Sequence, residues 1–171
     1  MHKRTTWCFT LNAVHVIVLV LILFGAFIYQ CAEHEAPCPL CLLQRLAMIG
    51  VCSGALLNLR FGIKPTYYGI SLIWALFGAG TSLRQIALHI CPQFPKFGHP
   101  VCGLNLYAWA FVIFACSILA IAIMLMLYDK EDDTALIPNL NVLKVIAFAG
   151  LFLVCLANVI TIFIACGWGS C

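Results

Sequence analysis

Cys38-Pro39-Leu40-Cys41 is the segment of this chain best equipped for chemistry. A C-x-x-C spacing holds two sulfurs close enough to bridge, and it recurs in thiol–disulfide exchange. Pro39 suits the first turn of a helix, where its missing N–H costs nothing. The sequence therefore predicts Cys38 near an N-cap and Cys41 in the first turn. The positive end of the helix dipole lies there and favours thiolate, the nucleophilic form, over thiol. Arg45 follows Cys41 by one turn on the same face. Its guanidinium can stabilise a Cys41 thiolate or a reduced oxygen on a bound acceptor. The structural alternative is an arginine snorkelling to lipid headgroups.

A second pair, Cys91 and Cys102, flanks a segment carrying Pro92, Pro95, Gly98 and Pro100. Such a segment is irregular and can bend, either to close its own disulfide or to reach the first pair. A structural disulfide is the plain reading of this pair alone. Beside a C-x-x-C on the same membrane face, exchange between the pairs is the stronger one. Arg84 and His89 precede this loop. His89 can move protons as thiols and an acceptor change charge, or merely satisfy an interface. Helix spacing does not put Arg84 and His89 on quite the same face. Both are minor candidates for acceptor binding.

The elements that must position these residues follow from composition. The chain has 171 residues, 64% hydrophobic and only 9% charged. A soluble domain carries near a quarter charged residues, so lipid is the solvent for most of this chain. The net charge of +3 is spread out, and no basic cluster points to nucleic acid. Five apolar stretches approach the roughly 20 residues that cross a bilayer: 11–30, 41–59, 67–88, 104–128 and 142–166. The expected fold is an all-α membrane protein, a four-helix transmembrane bundle plus a fifth C-terminal transmembrane helix, in one domain. Lys3 and Arg4 ahead of the first run also suit a signal peptide, but the run is long and no small-x-small site follows it.

Lys and Arg set the expected orientation. With the N-terminus cytoplasmic, Lys3, Arg4, Arg60, Lys64, Lys130 and Lys144 lie inside, and Arg45, Arg84 and Lys96 lie toward the outside. The loops 31–40 and 89–103 then face the periplasm. Of the eleven cysteines, Cys31, Cys38, Cys41, Cys91, Cys102, Cys166 and Cys171 sit at or beyond the outer surface. Cys8 is inside, and Cys52, Cys116 and Cys155 fall within spans as small apolar residues. The stretch from Leu46 to Leu59 carries no charge and spans only about 21 Å of helix. Arg45 therefore lies at or just inside the outer boundary, where a charge is costly and more often functional. Disulfide formation needs an electron acceptor, and no nucleotide-binding glycine pattern is present. A lipid-soluble quinone near Cys41 and Arg45 is the simple choice, by location alone.

On these residues the chain resembles the DsbB family of bacterial inner-membrane disulfide-forming proteins. Cys38-Pro39-Leu40-Cys41-Leu42-Leu43-Gln44-Arg45 follows that family's C-x-x-C-x-x-x-R. Gly103-Leu104-Asn105-Leu106-Tyr107-Ala108-Trp109 is similar to the G-L-x-M-x-x-W that opens its last helix. The likeness covers roughly 11–128. It implies a periplasmic DsbA-like partner of thioredoxin fold, whose reduced form attacks a Cys91–Cys102 disulfide. Cys91 would take the mixed disulfide, Cys102 would exchange with Cys38, and Cys41 would act on the quinone, ubiquinone or menaquinone, beside Arg45. Two features depart from the family: a much shorter second loop, and a fifth span with Cys166 and Cys171 beyond it.

Other readings stay open on the sequence. A relative of the vitamin K epoxide reductases, or an outward-directed thiol reductase, shares a bundle and paired cysteines, but there the C-x-x-C comes late in the chain. A metal-binding or transport protein could use Cys38, Cys41, Cys91 and Cys102 as soft ligands, although Cys91 and Cys102 are loosely spaced for zinc, and no metal is expected. Loop disulfides that only staple the fold are the third.

Overall fold

The computed structural model describes residues 2–33, 38–90, 101, 103–128 and 141–166. Five helices account for nearly all of them: α1 His2–Glu33, α2 Pro39–Phe61, α3 Pro65–Ile90, α4 Leu106–Leu127 and α5 Asn141–Cys166. No strand is formed among the described residues, only an isolated bridge between Val101 and Leu104. Four segments are long and apolar enough to cross a bilayer: Thr6–Gln30, Pro39–Phe61, Leu106–Leu127 and Val142–Phe163. The chain is a multi-pass helical membrane protein.

Two elements differ from the sequence expectation. Helix α1 begins at His2 rather than near residue 11, because a helix continues through polar residues that an apolar count leaves out. Helix α3 has 26 residues, ample length for a span. It does not reach the hydropathy of those four segments, because Ser71, Thr81, Ser82, Arg84 and Gln85 interrupt it. Three of these five, Ser71, Ser82 and Gln85, are buried inside the bundle. The Ser71 hydroxyl donates to the Val51 carbonyl of α2 at 2.8 Å, and Ser82 donates to Gly78 O at 2.9 Å.

Helix starts and stops follow local chemistry. Pro39 occupies the first position of α2, after an extended Cys38 with φ −68° and ψ 136°. Gly62 ends α2 at φ +96°, a left-handed backbone that favours glycine. Its N–H bonds Asn58 O at 3.2 Å. The chain turns at once into α3 at Pro65, while the Lys64 N–H donates to Asn58 Oδ1 at 2.9 Å.

Helix α2 is the centre of the bundle: 56% of its most apolar window is buried, against 22–33% in the other spanning helices. Small residues let its neighbours approach, as is usual where lipid removes the hydrophobic drive between helices. A Cβ at Gly50 would enter the Trp74 ring, and one at Gly54 would meet Ser71 and the Tyr67 carbonyl. Gly78 of α3 receives Phe114 of α4 in the same way, and Gly150 of α5 faces Val20 of α1. Helix α5 thus packs outside the four-helix bundle, on α1 and α2, whereas α1 and α4 touch only sparsely. At one end a buried polar network ties three helices. Asn12 Nδ2 donates to Tyr68 Oη at 2.7 Å and to Cys8 O at 2.8 Å, and Asn58 Nδ2 donates to Asn12 Oδ1 at 3.4 Å. Such groups are costly in an apolar interior unless paired.

Candidate functional site

The end of the bundle opposite that network holds the sulfur pair. Cys38 is the N-cap residue of α2, and its carbonyl accepts the Leu42 N–H at 3.1 Å. Cys41 lies one turn on, in the field of the helix N-terminus. Both are unbridged thiols, partly buried. They share one donor. The Gln85 side-chain nitrogen stands 3.8 Å from Cys38 Sγ and 3.7 Å from Cys41 Sγ. Gln85 is fully buried, and its oxygen accepts a 2.8 Å hydrogen bond from Gln44 Nε2.

Arg45 does not reach back to a headgroup. It is only 9% exposed and turns toward α1, with its guanidinium 4.5 Å from the centre of the Phe27 ring. One Nη donates to Ala26 O at 3.5 Å. Stacking on an aromatic face and bonding a carbonyl are what make a guanidinium tolerable here.

Cys38, Cys41, Gln44, Arg45 and Gln85 line one cavity of about 370 Å³, closed on its other sides by Tyr29 and Gln30 of α1 and by Tyr107, Trp109 and Ile113 of α4. The walls are mostly aliphatic and aromatic, with polar groups gathered at the sulfur end. Among the described residues the buried Gln30 Oε1 has no hydrogen-bond partner. A second cavity of about 460 Å³ runs between α1 and α4 and shares Ile22, Trp109 and Ile113 with the first. It is apolar apart from His15 and Ser117, which hydrogen-bond each other at 3.2 Å.

The remaining sequence candidates fall in different places. His89 bonds Gln85 O through Nδ1 at 2.8 Å. Its ring stacks on Tyr107 at 4.8 Å between centroids, so it borders the cavity through these two residues and does not line it. Arg84 is exposed, on the turn of α3 that faces away from the cavity. Cys91 and Cys102 lie outside the described residues, as do the side chains of Cys31 and Cys166, and Cys171. The structure adds Gln44, Gln85, Gln30, Tyr107 and Trp109 to the site. For the three glutamines the available signal was an uncharged amide within an apolar helix, which needs a hydrogen-bond partner there.

The model of the family described as Disulfide bond formation protein DsbB matches residues 9–98. That range holds both sulfurs of the C-x-x-C, Arg45, Gln85, His89 and Cys91. Helices α4 and α5, Cys102 and the Gly103–Trp109 segment lie beyond it. The chain is 42% identical over 76 residues to Disulfide bond formation protein B of Chromobacterium violaceum, covering 41% of this chain and 45% of that protein. It is 32% identical over 87 residues to the protein of the same description from Aromatoleum aromaticum, covering 48% and 49%. For that of Cupriavidus metallidurans the figures are 34% over 71 residues, covering 40% and 44%. The chain thus spans somewhat under half the length of the curated relatives it matches. No solved structure matches it.

Proposed function

The chain belongs to the DsbB family of disulfide bond formation proteins, and from that premise we propose that it is a membrane thiol:quinone oxidoreductase. It reoxidises a periplasmic DsbA-like dithiol carrier in the bacterial inner membrane. The observation that carries this reading is that Cys41 and Arg45 line one apolar cavity, which adjoins a groove between α1 and α4 at the shared walls Ile22, Trp109 and Ile113. A soluble acceptor has no need of such a path, whereas a lipid with a polar ring and a long tail does.

The residues fit that acceptor. Arg45 offers N–H donors to a ring oxygen, and the buried Gln30 Oε1 can accept a hydrogen bond only from the hydroxyl of the reduced, quinol form. When bound, a quinone accepts two electrons and two protons. The protein's share of the work is sulfur exchange. A carrier thiolate attacks Cys91 of a Cys91–Cys102 disulfide, and the carrier's second thiol releases Cys91, so the carrier leaves oxidised. Cys102 thiolate attacks Cys38 of the Cys38–Cys41 disulfide and frees Cys41. Cys91 then closes the loop disulfide again and leaves Cys38 and Cys41 as the reduced pair. Each transfer breaks one S–S bond and makes another. Cys41, at the helix N-terminus and one turn from Arg45, is the sulfur whose negative charge these two groups favour as it meets the acceptor. The Lys and Arg distribution supports a cytoplasmic N-terminus and a sulfur end at the periplasmic face.

The test is carrier oxidation in cells. Cys38→Ser and Cys41→Ser are expected to leave the carrier reduced. Normal carrier oxidation in both variants, at normal protein levels, would remove the pair from the reaction.

A further inference from the structure

Two buried amides stand between helices that otherwise meet through small and apolar residues. Gln44 of α2 is 5% exposed and Gln85 of α3 is 0% exposed. Neither carries charge, and each would cost stability in this interior without a partner. Their arrangement is directional. Gln44 Nε2 occupies the Gln85 oxygen at 2.8 Å, which leaves the Gln85 amide nitrogen, with its two hydrogens, facing two sulfurs at 3.8 and 3.7 Å. An amide nitrogen donates only, and a sulfur accepts weakly unless it is a thiolate. Gln44 therefore holds Gln85 with its donor toward the sulfurs, the orientation that would stabilise negative charge on either of them.

We infer that Gln85 is a positioning residue that sets the reduction potential of the Cys38–Cys41 pair, with Gln44 acting only through it. The donor stabilises the reduced, partly ionised pair more than the disulfide, so it makes the disulfide easier to reduce and the pair a stronger oxidant. The inference rests on the redox reading of this pair. The balance concerned is one Cys38–Cys41 disulfide plus two glutathione thiols, giving two cysteine thiols plus one glutathione disulfide.

The experiment equilibrates the purified full-length protein in detergent with glutathione buffers of graded composition. The Cys38–Cys41 peptide is then quantified after alkylation by mass spectrometry. The variants are Gln85→Met, Gln44→Met and the double variant, since methionine keeps side-chain length and removes the donor. Gln85→Met is expected to shift the equilibrium constant about tenfold toward the disulfide, equivalent to about 30 mV. Gln44→Met should shift it less, in the same direction. The double variant should equal Gln85→Met alone. A Gln85→Met constant within about twofold of the parent, or a full additional shift from Gln44→Met in the double variant, overturns the inference. If Gln85→Met does not fold, Gln44→Met decides alone: no shift overturns the proposal, and a shift toward the disulfide supports it. A parent protein whose Cys38–Cys41 pair does not exchange with glutathione at all sinks the redox reading itself. A parent that exchanges, with variants unmoved, sinks only the role of the amides.

Discussion

Replacing Gly54 by alanine tests the packing that brings the amides to the sulfurs. The added Cβ would meet the Ser71 hydroxyl and amide nitrogen and the Tyr67 carbonyl of α3. Two of these are backbone atoms, so no rotamer change relieves the clash and α2 must move away from α3. Overpacking of this kind costs about 1–3 kcal/mol. Loss of the 2.8 Å bond from Ser71 to Val51 O adds about 1 kcal/mol. The better helix propensity of alanine returns up to about 1 kcal/mol. The net expectation is a loss of about 2 kcal/mol, roughly thirtyfold in the ratio of folded to unfolded protein. Gly80 of α3 supplies the opposite sign, because a Cβ there meets nothing within 4 Å. Gly80→Ala should stabilise by about 0.5–1 kcal/mol through backbone entropy alone. Denaturant titration of the purified proteins in mixed micelles measures both. A Gly54→Ala variant as stable as its parent, or a Gly80→Ala loss of similar size, would refute the claim that α2 and α3 touch at Gly54.

Arg45→Lys keeps the charge but loses the guanidinium contact with the Phe27 ring, so acceptor KM should rise about tenfold with sulfur exchange intact. An unchanged KM and turnover would take Arg45 out of the acceptor site. Ile113→Trp should narrow the junction shared by the two cavities and raise KM for a long-tailed quinone but not for a tail-less analogue. Equal effects on both would refute the groove. Asn12→Leu removes the Asn12 bonds to Tyr68 and Asn58 and should cost about 2 kcal/mol in the same titration, leaving the redox equilibrium of the sulfur pair unmoved. His89→Phe should preserve the stack on Tyr107 and most of the turnover. A loss of turnover of a hundredfold or more at unchanged stability would make His89 a proton carrier.

The sequence alone was enough for the five helices, apart from the start of α1, and for the local geometry of the sulfur pair. Apolar runs placed α2 at 41–59 and α3 at 67–88, within about two residues of Pro39–Phe61 and Pro65–Ile90, because helix hydrogen bonds join residues only four apart. For the same reason Cys38, Pro39 and Cys41 could be placed in the first turn of α2, and Arg45 on its face, without knowledge of any other helix. What surrounds them was decided by tertiary structure. Gln85 is 44 residues from Cys41 in the chain, and nothing in either local pattern says that they meet. Their approach depends on Gly50 and Gly54 admitting α3 to close range. The rotation of α3 then turns Gln85 toward the sulfurs and leaves its neighbour Arg84 outside. Reading charge picked out Arg84, and packing chose the neutral amide, because a buried amide can be satisfied by two neighbours where an exposed arginine needs only water. Likewise Arg45 could be placed near a boundary from hydropathy, but its turn toward Phe27, and the gap that sparse contact leaves between α1 and α4, belong to the way five helices pack.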